Sequence, residues 1–164
     1  MTETQRESVP RNDGGELDTA TAFLGFARRC LLKKTEGLTD EQLRRVLVDS
    51  GTSLLGLIQH SAVSERWWFG FQLLGTGPID GWNFTMAVPP TRSAADVLQD
   101  YQNAIAESDA AIGRTGDPEA LSARPIDGKP LSLRWVLAHM TSETARHAGH
   151  ADILREQIDN VTGR

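Results

Sequence analysis

Three features of the sequence predict an all-α chain folded as a four-helix bundle. Four long segments carry apolar residues every three or four positions, no stretch alternates convincingly as a strand, and the Gly/Pro clusters fall between those segments. The first helix starts near Asp18, with Phe23, Leu24, Ala27, Cys30 and Leu31 on one face, and ends near Gly37. Thr39 followed by Gln42 is a capping-box pair that opens a short linking helix running toward Val48. Thr52 or Ser53 caps the second long helix, LLGLIQHSAVSERWWFGFQLL, which stops before Gly75, Gly77 and Pro78. The segment from Gly75 to Arg92 holds three Gly, three Pro, Trp82 and Phe84 without a period, the composition of a long ordered loop that covers a site. Ser93 and Asp96 then cap a third long helix, whose inner face runs Ala94, Val97, Leu98, Tyr101, Ile105, Ser108 and Ile112. A second loop spans about 115 to 130. The last helix runs from Leu131 to Ile158 without a proline, and Gly149 inside it costs ~1 kcal/mol relative to Ala.

Residues 1–16 are polar and aperiodic and read as a flexible N-terminal tail, which leaves 17–164 as a single bundle domain. Both loops are long enough for crossover connections, so a simple up-down order is not required. The net charge of -5 lacks the basic excess of a nucleic-acid binder. No apolar run approaches a membrane span, and the N-terminus has no apolar signal core, so a cytoplasmic protein is expected. Cys30 is the only cysteine, which rules out an internal disulfide and a Cys-rich zinc site. A bound metal must therefore rely on His and carboxylates.

All four histidines lie on the second and last long helices. On the last, Leu133, Val136, Met140, Thr144, His147, Ala151, Leu154 and Ile158 share one arc, with His147 near its centre and Glu143 about 40° toward its edge. On the second, His60 shares a face with Leu57, Ser64, Trp67, Trp68 and Phe71. Two adjacent helices then aim His60, Glu143 and His147 at one volume, with Glu143 and His147 separated by about 6 Å of helix rise, a spacing that suits one metal ion. His139 is about 12 Å of rise from His147, too far for easy joint ligation. From spacing alone, an inward histidine is equally well explained as a hydrogen-bonded core residue. His139, His150, Trp67 and Arg146 are candidates for the pocket wall or for outer contacts to the ligands. Arg66 and Arg146 suit salt bridges better than anion anchors, and Cys30 reads as a small buried hydrophobe.

The combination of GTSLLGLIQHSAVSERWWF with LRWVLAHMTSETARHAGHADILRE resembles the DinB/YfiT-like superfamily over most of residues 18–160. That resemblance implies a metal-binding four-helix bundle in which one ligand on the second long helix matches His60 and two on the last helix match Glu143 and His147. Glu143 departs from the all-histidine version and is similar to the branch containing mycothiol-dependent maleylpyruvate isomerase, where His, Glu and His bind zinc. Isomerases of that branch carry a further C-terminal domain, and this chain ends soon after its last helix, so isomerisation itself is not expected. Three protein ligands leave a coordination position open, as in catalytic zinc sites. Zn2+ suits the set, and Ni2+, Fe2+ or Mn2+ accept the same ligands. The resemblance implies a thiol S-transferase that uses a metal-bound low-molecular-weight thiol, mycothiol or another, as nucleophile toward a small-molecule substrate. A metal-dependent hydrolase and a non-catalytic metal- or small-ligand-binding stress protein are the alternatives. A homodimer is also expected, because Leu55, Ile58, Phe69 and Leu73 lie opposite His60 on a helix apolar around much of its circumference.

Overall fold

The computed structural model describes residues 6–163, and among them the regular structure is entirely helical. Helix α1 (Glu16–Lys33) is followed by the short α2 (Asp40–Arg44), α3 (Leu54–Glu65), α4 (Ala94–Thr115) and α5 (Leu133–Asp159). The capping chemistry sets most of these limits. Thr39 and Gln42 form a reciprocal capping box at α2, while the side chains of Ser53, Ser93 and Ser132 accept from the backbone N–H of Gly56, Asp96 and Trp135. Gly116 and Asn160 close α4 and α5 in the left-handed conformation. Two differences from the expected elements are local. Helix α2 stops at Arg44 instead of reaching Val48, because Arg45 is already extended. The second long helix changes character at its midpoint and continues as a π-helical segment, Arg66–Leu73. Residues 1–5 of the expected tail lie outside the described residues; further along it, Glu7 pairs with Arg29 and Lys33 of α1.

Helix α1 packs along α5 and α3 along α4, with the π-helical segment touching both α4 and α5. Leu133, Val136, Met140, Thr144, Ala151 and Leu154 of the expected α5 arc are all buried. The face of the second helix expected to seek a partner chain is instead covered from within. Leu55 and Ile58 cluster with Leu31, Leu43 of α2 and Tyr101, while Phe69 and Leu73 cluster with Leu24, Ala111, Ile112 and Met140. Among the described residues, no helix is long and apolar enough to cross a membrane.

The loop between the π-helical segment and α4 lies against α3 at Gly56. A Cβ added there would stand 2.2 Å from the backbone oxygen of Met86, so only glycine permits this approach. Although alanine is the better helix former, Gly56→Ala is expected to destabilise the protein by about 1–3 kcal/mol, as overpacking does. Denaturant unfolding checks this, and unchanged or increased stability would contradict the close packing of the loop.

Candidate functional site

His60 stands in the second turn of α3 and His147 in the middle of α5, and their rings meet edge to face with centroids 5.0 Å apart at 82°. Phe84 of the loop reaches His60 and borders the cavity that both rings line. Nδ1 of His60 lies 2.8 Å from the Phe84 carbonyl oxygen, and a carbonyl only accepts, so Nδ1 carries a proton and Nε2 is the nitrogen whose lone pair the neutral ring would offer. The His147 side chain is 12 % exposed, and both its ring nitrogens are buried without a hydrogen-bond partner. A buried imidazole left unpaired carries a desolvation cost, so both nitrogens are placed to take a hydrogen-bond partner or a cation. Glu143 presents Oε2 at 3.9 Å from Nε2 of His147, while its Oε1 accepts from Arg146 at 3.1 Å. Arg146 is therefore salt-bridged, and it draws Glu143 toward the rim. Among the described residues, no group of three His, Cys, Asp or Glu side chains is closed to ligating geometry.

These three side chains border one cavity of about 450 Å³, walled by Trp67, Trp68 and Phe84. The π-helical widening begins at Arg66 and carries both Trp67 and Trp68 to this wall. Trp67 stacks on Phe71 with centroids 4.6 Å apart and meets Trp82 and Phe84 at their edges. His139 also lines the cavity, but its ring packs in a cluster with Trp68 at 4.4 Å and Trp135 at 5.0 Å, the two indoles themselves 5.5 Å apart. His150 is exposed, 6.1 Å from His147 between ring centroids. Arg66 is taken up by Asp100 and Glu107 on α4, and Cys30 is buried, its thiol pushed up chiefly by desolvation.

Two features escaped the reading of the sequence. The Phe84 contact is made by a backbone carbonyl, which any residue would supply, so only the Gly/Pro/aromatic composition of the loop hinted at it. The other is a buried ion pair one turn beyond His60. Arg28 donates from Nε and Nη2 to the two oxygens of Glu65 at 2.7 and 2.6 Å, and from Nη1 to Asp109 at 2.7 Å. Glutamate after serine in an amphipathic pattern reads as surface, and its partner comes from another helix.

Burial, reinforced by the neighbouring His60, pushes the His147 imidazole down from 6.5 to about 4. The folded protein thus keeps His147 neutral where the unfolded chain would protonate it. Stability from this site is fully present above about pH 6.5 and is lost as pH falls toward 4. The metal-free protein should lose stability across that window more steeply than His147→Leu, and thermal melts between pH 7 and 4 measure the difference. Equal slopes would contradict a neutral buried His147. The same neutrality leaves the imidazole in its ligating form near neutral pH.

A family model described as MST: Mycothiol-S-transferase matches residues 19–160, nearly the whole chain. No curated protein matches it.

Proposed function

The chain belongs to the mycothiol-S-transferase family, and we propose that it joins mycothiol to an electrophilic small molecule at a divalent-metal centre held by His60, Glu143 and His147. The observation that carries the metal reading is the buried His147, with two unpartnered ring nitrogens beside a His60 whose Nε2 lone pair is left free. Two imidazoles and a carboxylate suit zinc, with Ni2+, Fe2+ or Mn2+ as competitors for the same set. When bound, such an ion supplies the positive charge that favours deprotonation of a thiol at neutral pH.

The chain's own residues do the rest. Phe84 fixes the His60 ring and its tautomer through the bond to Nδ1, as partners behind ligand histidines do in metal sites. Arg146 donates to Oε1 of Glu143 and leaves Oε2, the oxygen nearer His147, as the one that would face a bound ion. Trp67, Trp68 and Phe84 give the cavity apolar walls beside the two imidazoles and the carboxylate. In this reading the enzyme works in the cytoplasm, where thiols stay reduced. A homodimer belongs to the same proposal, but it must use a surface other than the buried Leu55, Ile58, Phe69 and Leu73.

The test is turnover of a model electrophile by zinc-supplied protein, with mycothiol, bacillithiol and glutathione in parallel. The expected result is a rate with mycothiol above the uncatalysed one, lost on chelation and restored by zinc. Background rates with every thiol would overturn the reading, and thiol-independent cleavage of esters or amides would replace it with hydrolysis.

A further inference from the structure

His147 borders a second cavity as well as the first. This smaller space, about 240 Å³, lies between the turn at Val48–Gly51, Met86 and the part of α5 carrying Ile153 and Leu154. The same loop roofs both spaces, with Phe84 over the larger and Met86 over the smaller. Their linings differ in chemistry. The larger cavity presents Glu143, Ser64 and Thr144 between its aromatic rings. The smaller has no carboxylate, lysine or arginine in its lining; besides His147 it is bordered by the exposed His150, and the rest of its wall is mainly aliphatic and thioether carbon. Two of its polar groups, the hydroxyls of Ser50 and Thr52, lie 3.0 Å apart and satisfy each other.

We infer that the smaller cavity binds a compact, neutral, apolar molecule, and that this is the electrophile of the thiol transfer proposed above, on which the assignment of that role rests. A transfer between two substrates needs both at one centre, and His147 is the side chain that the two spaces share. The larger, more polar cavity is left for the thiol. A cationic electrophile would be desolvated against Val48, Met86 and Leu154 with no carboxylate beside it, and an anionic one would meet no lysine or arginine there, which disfavours both. A short-chain epoxide fits. The thiol's sulfur forms a bond to a ring carbon as that carbon's bond to oxygen breaks, and the alkoxide takes from water a proton equivalent to the one the thiol released.

Butyl methyl ether, a neutral analogue that cannot be opened, serves as the binding probe for the full chain, followed by backbone amide shifts. The expected shifts fall at Val48, Thr52, Met86, Ile153 and Leu154, and vanish in Ile153→Trp, which fills the cavity from its exposed rim. In zinc-supplied protein with mycothiol and 1,2-epoxybutane, the same variant should lower kcat/KM for the epoxide at least ten-fold and leave KM for the thiol within two-fold. Shifts at Ser64, Trp67 and Glu143 instead, or no shifts at all, would overturn the site. Shifts at the expected amides in a protein that transfers no thiol would support the site and sink the transfer reading separately.

Discussion

Glu143→Ala and His147→Ala are each expected to abolish tight divalent-metal binding, while His139→Ala weakens it far less. The reason lies in where the side chains stand. Glu143 and His147 are one turn apart with polar atoms 3.9 Å from each other, and His147 faces His60 across 5.0 Å between ring centroids. His139 stands two turns from His147 on the same helix and packs with Trp68 and Trp135. Removing an outer-contact residue costs roughly 10–100-fold in metal affinity, and removing one of three ligands should exceed that. Competition against a chromophoric chelator ranks the variants. Equal loss in His139→Ala and Glu143→Ala, with His147→Ala unaffected, would place the metal one turn earlier on α5.

Arg28→Ala is expected to cost about 3–5 kcal/mol of folding stability, the range for breaking a buried pair and leaving a lone charge. Glu65 is 0 % and Arg28 3 % exposed, and the guanidinium grips both carboxylate oxygens. Burial opposes the charge on Arg28, but its bonds to Glu65 and Asp109 outweigh burial and raise its pKa. Because Glu65 ends α3 where the π-helical segment begins, the pair ties α1 to the junction that carries Trp67 and Trp68 to the cavity. The double variant Arg28→Met/Glu65→Leu should recover much of the loss, since it removes both charges together. Urea unfolding measures all three proteins. A loss below about 1 kcal/mol in Arg28→Ala would contradict the description of this pair as buried and interdependent.

The helices were legible because their signals are local. Thr39 with Gln42, Ser53 and Ser93 act at the ends where they were read, and apolar spacing on α5 identified the residues that are now buried. The convergence of His60, Glu143 and His147 on one cavity was legible from the same periodicity, since a face of a helix is a local property. What was not legible depends on the rest of the chain. The apolar circumference of the second helix was read correctly, but its cover comes from α1, α2, α4 and α5, so the pattern alone could not distinguish an internal neighbour from a partner chain. The π-helical widening at Arg66 and the Phe84 contact to His60 arise from tertiary packing, and neither leaves a mark in residue spacing. Arg28 and Glu65 are 37 positions apart, and nothing local announces their pairing.

The most direct measurement is the metal content of the chain, purified without a polyhistidine tag, supplied with zinc and freed of excess metal. About one zinc per chain is expected, falling to none in His147→Ala. A wild-type protein that remains metal-free, or a variant that keeps its full complement, would contradict the centre assigned to His60, Glu143 and His147.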